Sequence, residues 1–139
     1  MLDTASNFMA KMDAIGWKYR DVRELEDGKV HVGCGFNGKA ATVNFSVFFD
    51  QNGKSVSLRV LRFFPVPIDK RLQILEDINK TNKEYRWIKY YINDENDVNV
   101  QADAIINAEN SAEIVVELIA RMIQIIDNTY PIFMHTIWA

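Results

Sequence analysis

A chain of 139 residues, 48% hydrophobic and 25% charged, has the composition of an ordinary globular protein and the length of one domain. Its net charge of −3 and the lack of any long Lys or Arg run exclude the footprint of a general nucleic-acid binder. One cysteine, Cys34, excludes an intrachain disulfide, no stretch of about 18 apolar residues is free of charge, and Met1-Leu2-Asp3 lacks the start of a secretory signal, so a reduced cytoplasmic setting without membrane insertion is the expectation.

Leu2, Ala5, Phe8, Met9, Met12 and Ile15 share one face of a first helix, with Asp3 or Thr4 as its cap and Gly16 as its end. Trp17 to Leu25 reads as a strand of imperfect alternation. Asp27-Gly28 supplies a turn with positive φ. Val30, Val32, Cys34 and Phe36 alternate with His31, Gly33, Gly35 and Asn37, a half-buried strand. Gly33 and Gly35 leave one sheet face bare, which suits close packing of a helix or close approach of a ligand or partner backbone. After Asn37-Gly38, Ala41, Val43, Phe45, Val47 and Phe49 give the clearest two-residue period in the chain, with Phe48 on the opposite face. Asp50-Gln51-Asn52-Gly53 turns into a fourth strand through Val56, Leu58 and Val60. The four strands predict an antiparallel meander.

Phe63-Phe64-Pro65-Val66-Pro67 is expected to break the sheet, since prolines cannot donate to a ladder. Ile68, Leu72, Leu75 and Ile78 define the stripe of a second helix, with Asn79 and Asn82 on the same side. Those amides need partners, either backbone at the next strand or a ligand. Arg86–Asn93 and Asp97–Ile105 predict two more strands, joined by Asp94-Glu95-Asn96. Ser111 can cap the last helix, in which Val115, Ile119, Met122 and Ile126 form the central stripe. Ile114, Leu118 and Ile125 widen its apolar arc to roughly 200°, beyond the roughly 100° that a one-sided helix needs. These three are expected to be covered by the C-terminal segment or by a second subunit, and a homodimer is favoured. Pro131 is expected to start a short separate turn or helix, Ile132 to Trp138. No repeat or linker divides residues 1–139, so a single domain is expected.

Little catalytic chemistry is visible. His31 and Cys34 are three apart, hence on opposite faces of a strand. His135 is the only other histidine, and no ligand spacing for a metal appears. Asp94, Glu95 and Asp97 lack the twelve-residue calcium-loop pattern. Gly33, Gly35 and Gly38 do not match a phosphate loop followed by a helix. No catalytic residue, cofactor or metal is expected. Lys80, Lys83, Arg86 and Lys89 read as a solvated basic helix end.

Leu75-Glu76-Asp77-Ile78-Asn79-Lys80-Thr81-Asn82, the strand pair from Trp87 to Ala104 and the helix end Ile126-Asp127-Asn128-Thr129-Tyr130-Pro131 resemble the YbjN family of bacterial proteins. The first half of the chain agrees in element order alone. The resemblance implies a fold similar to type III secretion chaperones, helices packed on a mostly antiparallel sheet and commonly homodimeric, and a regulator without catalytic residues. The expectation is therefore an α+β domain of order α-β-β-β-β-α-β-β-α that acts as a protein-binding adaptor or chaperone-like regulator. The different-class alternative is a small-ligand-binding sensory domain, with Asn79, Asn82 or Arg59 as polar anchors in an enclosed pocket. For a protein or peptide partner, Phe48, Leu61 and Phe63 are the candidate contacts, because they fall off the main core face of the meander.

Overall fold

The two-residue period of Val43, Phe45, Val47 and Phe49 becomes the helix-covered face of a six-stranded, wholly antiparallel sheet. The computed structural model describes residues 1–139. In chain order the elements are α1 (Asp3–Ile15), β1 (Arg20–Glu24), β2 (Val30–Asn37), β3 (Thr42–Phe49) and β4 (Ser55–Pro65). A 3-10 turn (Ile68–Lys70) leads to α2 (Arg71–Glu84), followed by β5 (Lys89–Ile92), β6 (Asp97–Ile105) and α3 (Ser111–Trp138). The strand order is β1-β2-β3-β4-β6-β5, so the first four strands form the expected meander and the last hairpin joins it through β6. No helix is long and apolar enough to cross a membrane.

One sheet face carries Val32, Cys34, Val47, Leu58, Val100 and Ala102, all buried beneath α1 and α3. Phe8 of α1 meets Phe49 at 5.6 Å between ring centroids. From α3, Val115, Ile119, Met122 and Ile126 are fully buried, which matches the central stripe expected of that helix. The other sheet face has no helix on it.

Several local expectations give way to longer-range contacts. Neither α1 nor α3 has a side-chain cap. Ser111 instead donates its hydroxyl to the Thr4 carbonyl at 3.0 Å, tying the start of α3 to α1 inside the core. β1 is shorter than Trp17–Leu25, because a bulge between Arg20 and Arg23, with Asp21 at φ 54°, disrupts its pairing with β2. The sheet does not end at Phe63. A bulge between Val60 and Phe64, with Arg62 at φ 50°, lets β4 resume pairing with β6 up to Pro65.

The face of α2 also differs. Ile74, Ile78 and Thr81 are buried, whereas Ile68, Leu72 and Leu75 point outward. Both stripes have helical spacing, and α2 packs against β5 and α3 rather than across the meander, which selects the second. Finally, α3 continues as one helix through Pro131 to Trp138. A helical proline forfeits the bond to the carbonyl four residues back, here Asp127. The continuation is held by Phe133, fully buried between Tyr90 and Phe64 at 4.8 and 5.4 Å.

Candidate partner-binding groove

Exposed apolar side chains meet a cleft where β6 outruns its neighbour. β5 pairs with β6 only from Lys89↔Gln101 to Ile92↔Val98, while β4 pairs with β6 as far as Ser55↔Ile105. From Ala102 to Ile105, β6 therefore has a strand on one side only. β5 is short for two reasons. The Asn82 amide donates to the Tyr90 carbonyl at 3.0 Å and accepts from the Tyr90 N–H at 2.8 Å, pinning the strand to the end of α2. Just before it, Trp87 has φ 78°, a left-handed backbone that a bulky residue rarely adopts, and the chain turns off the edge there.

The backbone groups left bare can be identified. The Ile106 N–H donates to the Lys54 carbonyl at 2.9 Å, so even-numbered residues of this stretch face β4. At the other end, the Asn93 N–H donates to the Asp97 carbonyl at 2.8 Å, which places odd-numbered residues toward β5. Asp103 and Ile105 therefore aim their N–H and C=O groups at the side where β5 is missing.

Beside this edge lies a cleft of about 780 Å³, walled by one flank of α3. Ala104, Ile114, Val116 and Leu118 line it, with Trp87 and Ile105 at its mouth, 54% and 88% exposed. Lys11, Asp103, Glu113, Glu117 and Arg121 supply the charges around it. Arg121 pairs with Glu117 at 2.8 Å and lies 5.5 Å from the Trp87 ring centroid. Past Trp87 the cleft continues as a recess of about 280 Å³ along Ile125 and Asn128.

Of the flank residues expected to need a cover, Leu118 and Ile125 are already buried within the chain, and Ile114 is half-buried. The C-terminal segment does not fold back over them, because it is the helical continuation of α3. Leu61 and Phe63 share a recess of about 270 Å³ with Tyr130, but Phe48 is not brought to it. Phe48 lies on the uncovered face, its ring 5.1 Å from His31 and 5.5 Å from the Arg59 guanidinium. Leu61 is exposed in the β4 bulge, and Phe63 turns toward Tyr130 at 5.2 Å. Gly33 and Gly35 are overlain by a side chain, not a helix. A Cβ at Gly35 would sit 2.7 Å from Asn44 Oδ1 and 3.2 Å from Arg20 Nη1. Asn79 is exposed on α2, Asn82 is occupied by Tyr90, and Arg59 donates to Ser57 at 3.0 Å, so the three polar anchors do not converge on a pocket.

Trp87 and Ile105 are the groove residues that sequence reasoning missed. Both fall at ordinary strand positions of the sequence, and nothing local marks where β5 ends. As for reactive groups, no cluster of three or more His, Cys, Asp or Glu side chains is placed to hold a metal. Cys34 is fully buried, and desolvation pushes its thiol up to about 12, only partly offset by the Arg20 charge. At pH 8 the native protein should thus resist a thiol reagent that modifies one site per chain in denaturant. Prompt labelling of the folded chain would contradict this.

The sequence profile of the YbjN family, described as "Putative bacterial sensory transduction regulator", matches residues 8–133. Among solved structures, a similar one is described as "Crystal structure of YbjN, a putative transcription regulator from E. coli". It shares 14% identity, with a TM-score of 0.57 over 91% of this chain and 91% of that chain, a likeness of fold alone. A search of curated proteins finds no match.

Proposed function

The chain belongs to the YbjN family, and from that premise we propose that it is a non-enzymatic, adaptor-like regulator that holds a segment of another protein between α3 and β6. The observation that carries this reading is the 780 Å³ cleft, open to solvent, with Trp87 and Ile105 exposed at its mouth. Exposed apolar surface that adjoins a groove marks an interaction site more often than scattered single residues do. Trp and Arg are residue types enriched where binding energy concentrates, and Trp87 and Arg121 stand together at this cleft.

The test is panning of a displayed library of twelve-residue segments over the immobilised protein, followed by fluorescence anisotropy with the segments recovered. Ile105→Asp and Trp87→Ala should each weaken binding by about thirtyfold, the size expected for about 2 kcal/mol at an anchor. Ile105→Asp should leave the melting temperature within a degree or two, since the side chain is solvated in the free protein. Segments that bind both variants as tightly as the unaltered chain would remove the groove from the account.

A further inference from the structure

We infer that the partner segment enters this groove as a β-strand, pairing with the main chain of Asp103 and Ile105 and extending the sheet where β5 leaves β6 bare. The inference rests on the groove reading and specifies the conformation and chemistry of what is held. Parity along β6 leaves four backbone groups, the N–H and C=O of Asp103 and of Ile105, facing a side with no strand. A helix laid in the cleft leaves all four unpaired, whereas an extended segment pairs them in a continuous ladder. The bare edge from Ala102 to Ile105 accommodates a run of about four residues, roughly 13 Å.

Side-chain alternation then fixes the pattern of the occupant. Ala104 points to the helix side and is small, so alternate residues of an added strand meet Ile114, Val116 and Leu118 and should be apolar. The intervening residues lie on the uncovered face beside Asp103 and Ile105, whose side chains share that face. The Asp103 carboxylate accepts only the Gln101 amide, at 3.0 and 3.3 Å, and has no cationic partner. Around the cleft, Asp103, Glu113 and Glu117 outnumber Lys11 and Arg121, and Arg121 is already engaged with Glu117. Lys or Arg at the intervening position beside Asp103 complements this field, and an apolar residue suits the one beside Ile105.

Two other readings of the edge are weaker. Charged residues on edge strands often guard against unwanted pairing, and Asp103 alone would fit that role. A guarded edge does not, however, carry an isoleucine that is 88% exposed next to an apolar cleft. A second copy pairing through the same edge would set two Asp103 carboxylates at the diagonal spacing of about 7–8 Å and direct both Glu113 residues toward one interface, which like-charge repulsion opposes.

The probes are the segments recovered by panning, remade with one backbone N-methyl group at each position in turn. Methylation at alternate positions should cost more than about tenfold in affinity, with the intervening positions tolerant, because only every second N–H of a strand faces the ladder. Ile105→Pro removes an outward N–H that the fold does not use and should cost a similar factor. Asp103→Lys should weaken segments that carry Lys or Arg. In the free chain the Asp103 and Ile105 amides should exchange quickly with solvent, and in the complex slowly. This exchange is read on the unaltered protein, so it decides the matter even if Ile105→Pro fails to fold. Uniform tolerance of N-methylation, together with sensitivity to Trp87→Ala, overturns strand addition but leaves the groove reading standing. Insensitivity to Trp87→Ala and Ile105→Asp as well removes both. Protection of the same two amides in the free chain that grows with protein concentration makes a second copy the occupant and overturns the inference.

Discussion

Phe133→Ala should lower the free energy of unfolding by about 3–5 kcal/mol, a large part of the 5–15 kcal/mol available to a domain. Phe133 has no accessible surface and touches two buried aromatics, Tyr90 of β5 and Phe64 of β4. Its removal opens a cavity under both strands. It also releases the part of α3 beyond Pro131, which has lost one helical hydrogen bond and depends on packing to stay in line. Trp138→Ala is the control: the same helix, five residues on, but 82% exposed, with an expected change within about 0.5 kcal/mol. Urea unfolding of both variants is the measurement. Equal, small losses would mean that the last turns of α3 do not belong to the core.

Thr129→Val should cost about 1–3 kcal/mol although it keeps the side-chain shape. Thr129 is fully buried in α3 and donates its one hydroxyl proton to the Ile125 carbonyl at 2.8 Å. Its 2.5 Å contact with the Tyr90 hydroxyl must then run the other way, with Tyr90 donating and Thr129 accepting. Valine leaves the buried Tyr90 O–H without an acceptor. Tyr90→Phe is milder, about 1 kcal/mol, because Thr129 still has Ile125 to donate to. The double variant should be no less stable than Thr129→Val alone, since it removes both members and orphans neither. If Tyr90→Phe proves the more damaging single change, the assigned direction of the bond is wrong. Burial also raises the Tyr90 hydroxyl well above the usual tyrosine range, so it remains a donor at every pH at which the protein would be studied.

Element order and the helix-covered sheet face were legible because they follow from local rules. The period of Val43 to Phe49 sets the inward side chains, and Gly28 and Gly53, at φ 90° and 69°, make the turns their sequences announced. What stayed hidden depends on contacts far along the chain. Pro131 reads as a helix end, and only the burial of Phe133 against β4 and β5 overrides it. Ile68, Leu72 and Leu75 form as good a helical stripe as Ile74, Ile78 and Thr81, and the choice is made by where α2 lands on β5 and α3. The groove is harder still to foresee. It arises from the difference between two pairings, β4 with β6 to Ile105 and β5 with β6 only to Gln101, and no single segment encodes that difference. The flank residues Ile114 and Leu118 were visible as surplus apolar surface, but Trp87 and Ile105 looked like ordinary strand residues.

The most direct test of partner binding at this groove is to titrate a recovered segment into the isotope-labelled protein and follow every backbone amide by NMR. The largest shifts are expected on Trp87, on Asp103 to Ile105 and on the α3 flank from Ile114 to Arg121. Shifts gathered instead around Phe48 and Arg59 on the uncovered sheet face, or around the outward Leu72 and Leu75 of α2, would contradict binding at the groove.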